Sequence, residues 1–377
     1  MACVDACPKH AIKMVVEEDG HFYPHIDKSL CVGCLLCQHL CEKVHKFNYS
    51  CNERKSIPYS VYNKNAEVYK RSTSGGVFPA IASYVLLRNG VVYGAAYDEM
   101  GRVRHRRITS VDEICLLQGS KYLQSDMAGT YLSIKRDLEN ELEVLFSGTG
   151  CQVAAVLSYF ENHKKRHLIY TMDIVCGGVP SLLLLSTFAK HEEPRFLGTS
   201  YYRVKEKYEY AYKTEGGKIV VPRKSLPLDG FKSSLTNRYS CYNCKFAGIH
   251  RKSDWTIGDL WGRPGADFCL SLCICHSDRA KEILEHKSDL HLEPIQSWDF
   301  VMDNPRLVNG MCSFGRRIER RCMTWLFKHC SYRTLRKIYA SDVKRTDVLW
   351  MIYKFYRLLR FKLYMRHSSL IAKELIK

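Results

Sequence analysis

Val144-Leu145-Phe146, then Ser147-Gly148-Thr149-Gly150-Cys151-Gln152, then Val153-Ala154-Ala155-Val156-Leu157 reads as a buried strand, a glycine turn and an apolar helix. Open α/β sheets use this arrangement to place ligands beyond the carboxyl ends of their strands. Cys151 falls in the first helical turn, where the helix dipole favours a thiolate. A cluster ligand, a reactive thiol and a buried thiol all stay open for it. A second strand, Leu168 to Val175, ends in Cys176-Gly177-Gly178-Val179-Pro180 ahead of the apolar stretch Leu182 to Phe188. Two cysteines therefore stand at equivalent strand ends, and neighbouring strand ends converge in space.

Upstream, Arg71-Ser72-Thr73-Ser74-Gly75-Gly76 runs into the apolar helix Val77 to Leu87. Such a turn presents free backbone N–H groups and a positive dipole end, a receptor for phosphate or simply a helix cap. Val91 to Ala96 and Val103 to Ile108 read as neighbouring strands, Asp112 to Leu117 as a short turn or helix, and Gly129 to Asn140 as a helix. Between them lies Gln118-Gly119-Ser120-Lys121-Tyr122, where Lys121 is a candidate anion ligand or a solvated lysine.

Downstream, Gly198 to Val221 reads as antiparallel strands joined near Gly216-Gly217. Cys241-Tyr242-Asn243-Cys244 follows, a spacing moderately specific for metal or redox use. With Cys151 and Cys176 it supplies four thiolates for a [4Fe-4S] cluster. Asp254 and Asp259 either bind a cofactor sugar or sit at ordinary turns. Cys269, Cys273 and Cys275 lie in apolar sequence where small buried residues are equally expected.

The N-terminal signal is the strongest. Cys31, Cys34, Cys37 and Cys41 are separated by two, two and three residues, which turns several sulfurs toward the corners of one cubane, and Gly33 gives the wrap its backbone freedom. Zinc sites normally use two separated CxxC pairs. Cys3 and Cys7-Pro8 look like the last half of a second copy. By the crossover rule of two-cluster ferredoxins, Cys7 completes the cluster of Cys31, Cys34 and Cys37, and Cys3 and Cys41 serve the other.

That second cluster lacks two ligands. The favoured expectation is a shortened N-terminus; a single cluster, or substitution by Cys51 and a partner, are the alternatives. Glu42, where a ferredoxin usually has proline, departs from the pattern. Ile12 to Val15 and Phe22 to Ile26 flank Glu17-Glu18-Asp19-Gly20 as a short hairpin expected to cover the clusters with its apolar side.

Length and composition bound the rest. The 377 residues, 46% hydrophobic and 25% charged, suit a folded protein of two or three domains. Eighteen cysteines in tight clusters, in a long chain that opens without a signal peptide, point to metal clusters in a reducing cytoplasm rather than to disulfides. The net charge is +18, yet Arg316 to Lys377 alone hold 17 Lys and Arg against four acids. The basic character belongs to that tail, whose aromatic and basic residues alternate. It is expected to pack on the body or a partner, or to touch an anionic membrane peripherally. No nucleic-acid motif accompanies the charge, so no nucleic-acid partner is expected.

These phrases together resemble the beta-subunit family of deazaflavin-reducing hydrogenases and dehydrogenases, including bacterial members encoded beside polysaccharide genes. The ferredoxin motif, Ser72 to Gly76, Gln118 to Tyr122, Phe146 to Gln152, Asp173 to Pro180, Cys241 to Cys244 and Ile257 to Gly262 carry the resemblance. It implies an iron-sulfur flavoprotein that holds FAD and passes electrons between clusters and a two-electron carrier, which in archaeal members is 8-hydroxy-5-deazaflavin. Ser74, Gly75, Gly76 and Lys121 would help hold flavin or substrate, and Cys151, Cys176, Cys241 and Cys244 would be cluster or redox residues. Gly150 replaces a common proline and Gly177 a frequent histidine, whose loss would remove a proton donor near the cofactor.

The expected fold is mixed α/β, of the α+β kind. A ferredoxin-like iron-sulfur segment (1–50) precedes a flavin-binding mixed-sheet domain (66–310) and a basic helical tail (316–377). The expected function is an oxidoreductase subunit joining [4Fe-4S] clusters and FAD, with a redox protein or organic electron carrier as partner. The rivals are a non-catalytic iron-sulfur carrier or interaction partner in a polysaccharide-biosynthesis pathway, and a zinc-stabilised interaction protein.

Overall fold

Alternation along the central strands decides the layering. Val91 and Tyr93 face one side while Val92 and Ala96 face the other; Val144 and Phe146 oppose Leu145 in the same way. Successive side chains of a strand point to opposite faces, so strands apolar on both must be covered on both. The structure is a computed structural model describing residues 1–41, 56–191, 201–204, 209–213, 219–220, 234, 236–261, 269–308, 314–339, 359 and 363.

The N-terminal segment holds α1 (Ala2–Asp5), the hairpin β1 (Ile12–Val16) and β2 (Phe22–Ile26), and α2 (Leu36–His39). Then come β3 (Ile57–Asn63), α3 (Ala66–Arg71), α4 (Val77–Leu86), β4 (Val91–Tyr97), β5 (Val103–Ile108), α5 (Ile114–Leu117), α6 (Thr130–Glu139), β6 (Val144–Thr149), α7 (Gly150–Tyr159), β7 (Ile169–Ile174) and α8 (Leu182–His191). A small antiparallel sheet follows, of β8 (Tyr201–Val204), β9 (Glu209–Lys213) and β10 (Ile219–Val220), with its Gly216-Gly217 connection outside the described residues. The body closes with β11 (Trp255–Asp259), β12 (Ser271–Cys275), α9 (Asp278–Glu285), β13 (Leu290–Pro294) and α10 (Pro305–Val308). In the tail are α11 (Phe314–His329) and α12 (Tyr332–Tyr339).

Eight strands form the main sheet in the order β13-β3-β12-β11-β7-β6-β4-β5. The adjacent strands β11, β7, β6 and β4 are parallel, while β5 on one flank and β12, β3 and β13 on the other each pair antiparallel with their neighbours. Helices α4 and α9 cover one face, packing Ile81, Val85 and Leu284 on Leu145 and Trp255. On the other face, α6 and α7 pack Ile134, Leu138 and Val153 on Phe146, and Ala2 of α1 joins them. Phe146 and Trp255 are fully buried, each worth ~2–3 kcal/mol in surface removed from water.

One expected boundary moves. Ser147 to Gly150 is not a glycine turn, because β6 continues to Thr149 in register with Ile174 of β7 and α7 starts at once. The Thr149 N–H donates to Gln152 Oε1 at 2.9 Å, so the helix cap itself ends the strand. Cys273 and Cys275 are core residues of β12.

Of the tail expected at 316–377, α11 and α12 lie on the body. Leu335 is buried and Tyr332 stacks on His191 of α8 at 4.6 Å. Residues 340–377 other than 359 and 363 lie outside the described residues, as do Cys51 and Gly262. Among the described residues no helix is long and apolar enough to cross a membrane.

Candidate functional site

Strands β4, β6, β7 and β11 run parallel, so their carboxyl ends emerge on one edge of the sheet. A cavity of about 1270 Å³ opens there. It exceeds the ~300–1,000 Å³ of a drug-sized ligand site and has room for a dinucleotide-sized cofactor. Its wall takes Gly94 and Ala95 from β4, Ser147 to Thr149 from β6, Ile174 to Gly178 from β7 and its loop, and Ile257 to Asp259 from β11.

The phosphate-receptor turn forms a second side. Gly76, at φ +89°, caps α4, and Thr73, Ser74 and Gly76 line the cavity. The Ser74 hydroxyl donates to the Leu270 carbonyl at 2.9 Å and the Gly75 N–H to Ser271 Oγ at 2.7 Å. Gly75 is thus part of the support: a Cβ there would stand 2.1 Å from the Val61 carbonyl oxygen. The Ser120 N–H donates to Thr73 Oγ1 at 2.9 Å and ties the second polar turn to the first.

Lys121 lines the cavity, but its ammonium donates to the carbonyls of Gln118 at 2.7 Å and Leu117 at 2.8 Å, closing the end of α5. Burial pulls its pKa down to about 7. Beside it His105, which carries no motif in the sequence, stacks on Phe146 and shares hydrogen bonds with Ser125 Oγ at 2.7 Å and the Ser147 carbonyl at 3.1 Å. Burial holds it neutral, with a pKa of about 4.

Opposite lie the inner cysteines. Cys151, Cys176, Cys241 and Cys244 all line this cavity. Burial raises the Cys176 thiol, and the charge of Cys244 adds to that; the Gly178 N–H, which donates to its Sγ at 3.3 Å, and the guanidinium groups of Arg306 and Arg251 act against it. Burial, with the charge of Cys176 behind it, pushes Cys241 up to about 12. Cys151 Sγ lies 3.1 Å from Thr149 Oγ1.

Soft sulfur donors, N–H···S support and nearby cations suit the net negative charge of an iron-sulfur cluster. Among the described residues no three His, Cys, Asp or Glu side chains gather around a single-ion position. A cubane, whose thiolates approach from separate corners, requires no such point.

Arg306 and Arg238, from sequence that carries no motif, complete the wall. The place a side chain at 177 would take is filled by the Arg306 guanidinium, whose Nη1 lies 2.1 Å from an ideal Cβ on Gly177. Where a histidine was expected, this chain therefore brings a cation. Gly150 packs against Phe246 and the buried Arg251, which is paired with Asp173 at 2.8 Å. The two aspartates separate clearly. Asp254 is a structural acceptor for Thr171, Ser277 and Arg279, and Asp259 lines the cavity.

The N-terminal segment forms the lid. Met14, Tyr23 and Pro24 of the hairpin line the cavity together with Cys3 and Cys41. Met14 and Tyr23 of the hairpin face this space, while Val15, Val16 and Ile26 are exposed. Cys31 and Cys34 are exposed amid Leu30, Val32, Leu35 and Leu36; Cys7 and Cys37 are half-buried. Gly33 at φ +67° and Leu35 at φ +60° bend the chain between them. The Ala11 N–H donates to Cys7 Sγ at 3.3 Å.

Residues 142–297 match the family model for the C terminus of the coenzyme F420 hydrogenase/dehydrogenase beta subunit, and residues 1–43 match that of a 4Fe-4S dicluster domain. Comparison with curated proteins finds no match. Among solved structures, a chain of the xenon-derivatised F420-reducing [NiFe] hydrogenase complex from Methanosarcina barkeri is similar at 16% identity and a TM-score of 0.49, over 66% of this chain and 84% of that one.

Proposed function

We propose, for a chain whose residues 142–297 belong to the coenzyme F420 hydrogenase/dehydrogenase beta-subunit family behind a ferredoxin-type dicluster segment, that it passes electrons between [4Fe-4S] clusters and a two-electron organic partner, with FAD held in the central cavity. The chain is an iron-sulfur oxidoreductase subunit of this type. The observation that carries the finer reading is that one cavity is lined by Cys3 and Cys41, by the four inner cysteines and by the turn at the start of α4.

In this reading Cys7, Cys31, Cys34 and Cys37 hold the outer cluster. The exposed apolar residues around Cys31 and Cys34 receive a redox protein there, since several exposed apolar side chains beside a solvent-facing ligand set suit a contact site. Cys3 and Cys41 contribute to a second centre at the cavity rim, and Cys151, Cys176, Cys241 and Cys244 to a third. Gly76 and Ser74 present the α4 end to the cofactor's phosphates, while Lys121 keeps the neighbouring turn closed. Met14 and Tyr23 exclude water from above. A bound flavin supplies the exchange between single electrons from clusters and electron pairs for an organic molecule. The domain division is read the same way: 1–50 for electron delivery, 66–310 for the cofactor cavity, and 316–377 as a basic tail whose described helices α11 and α12 rest on the body.

The test is anaerobic purification followed by an absorption spectrum and quantification of iron, acid-labile sulfide and released flavin. Flavin with about eight or more iron atoms per chain is expected. Iron without flavin would instead support the electron-carrier reading, and zinc in place of iron would sink both.

A further inference from the structure

The loop after β7 is built around a missing side chain. Gly177 is followed by Gly178 at φ +97°, and the space beside it is taken by a guanidinium from a different element: Arg306 of α10 places Nη1 at 2.1 Å and Cζ at 2.4 Å from where a Cβ on Gly177 would stand. A side chain on residue 177 would make the arginine head group shift out of this space. From the other side Asn237 holds the loop, donating from Nδ2 to the Gly177 carbonyl at 3.1 Å. Arg306 is therefore seated against the residue next to Cys176, and both line the same cavity.

A guanidinium stays protonated at every working pH, so this is a permanent positive charge. In a partly buried site such a charge acts at several times its strength in water. We propose that Arg306, seated in the space Gly177 leaves open, raises the reduction potential of the centre held at Cys176 by stabilising the reduced state. The proposal rests on the reading of the inner cysteines as cluster ligands. On reduction one electron arrives from the N-terminal clusters and the centre becomes one unit more negative; no bond breaks and Arg306 exchanges no proton. The fixed cation favours the more negative state, so the inner centre draws electrons inward.

The experiment uses the full chain, purified anaerobically as wild type, Arg306→Gln, Arg306→Lys, Gly177→Ala and Cys176→Ser. Iron is quantified in each, and the centre is followed by potentiometric titration with electron paramagnetic resonance, the signal lost in Cys176→Ser identifying it. Arg306→Gln should keep its iron while the reduced-to-oxidised ratio at a fixed potential falls about tenfold, which for one electron is ~59 mV. Arg306→Lys should restore most of it. Gly177→Ala, which keeps the arginine but displaces its head group, should shift the centre the same way and serves if Arg306→Gln loses its cluster. An unchanged potential in iron-replete Arg306→Gln or Gly177→Ala overturns the role of Arg306 and leaves the cluster reading standing. If Cys176→Ser loses neither iron nor a signal, the cluster reading itself falls.

Discussion

Arg320 of α11 donates to the Asp19 carboxylate at the tip of the N-terminal hairpin and, from Nε, to the Asn237 carbonyl at 2.9 Å. One buried side chain from the tail thus joins the ferredoxin-type segment to the loop that carries Cys176, since Asn237 in turn holds Gly177. The Asp19 knot has further strands. Tyr23 donates its hydroxyl to Asp19 Oδ2 at 2.9 Å, Ser181 donates to the Asp19 carbonyl at 2.6 Å, and Lys328 pairs with Glu18. A basic tail here serves as a strap across acidic residues of its own chain.

Arg320→Ala should loosen that strap. Removing one partner of a buried pair strands the other charge, so a loss of about 3 kcal/mol is expected. Hydrogen exchange at residues 17–23 should accelerate while the central strands stay protected; equal exchange in wild type and variant would show that the strap carries no load.

Gly75→Ala should be poorly tolerated because the new methyl meets the backbone of β3 rather than a movable side chain. Overpacking against backbone costs ~3 kcal/mol or more. Gly129→Ala, where nothing lies within 4 Å of the added carbon, should cost only the strain of its φ of +81°, on the order of 1 kcal/mol. Comparing the two by thermal unfolding separates crowding from backbone strain.

Acid should destabilise the body through His105. Its folded pKa of about 4 lies below the ordinary histidine value, with burial as the first cause, so the unfolded chain binds the proton more readily. Stability is therefore fully present above pH ~6.5 and lost as pH falls toward 4, by up to about 3 kcal/mol. His21, buried beside Thr236, is lowered by burial too and acts in the same direction. His105→Gln should flatten the stability profile over that window, and an unchanged slope would remove His105 from the account.

Cysteine variants should separate the centres. If each site holds the cluster proposed for it, Cys34→Ser is expected to lose about four iron atoms at the exposed N-terminal site, and Cys176→Ser about four at the inner one. If either substitution empties both sites, they form one unit rather than independent clusters.

Much of this protein is legible in its residues one stretch at a time. The cysteine spacing from Cys31 to Cys41 is a local geometric constraint, and so is the strand-to-helix pattern around Val144 to Leu157; both are written within about a dozen neighbouring positions. Cys151 and Cys176 follow β6 and β7, parallel strands that end on the same edge, a topological rule that sequence patterns already invoke, whereas the place of Cys241 and Cys244 on the same cavity is not written in their spacing. The extent of β6 is not legible in this way, because Gly148 and Gly150 look like turn residues, yet ladder bonds to β7 outweigh that local preference.

What only the tertiary structure decided involves residues far apart in the chain. Arg306 filling the space beside Gly177, Arg320 reaching Asp19, and His105 held neutral on Phe146 carry no motif, since each depends on where a distant element packs. Lys121 shows the same limit from the other side: its sequence context marks a cation by a polar turn, but the ammonium is committed to the carbonyls of Leu117 and Gln118. Spacing along the chain records which groups are neighbours on one element. Which charge stands beside which sulfur is settled by packing, because burial and distance set electrostatic strength and neither is a local property of the sequence.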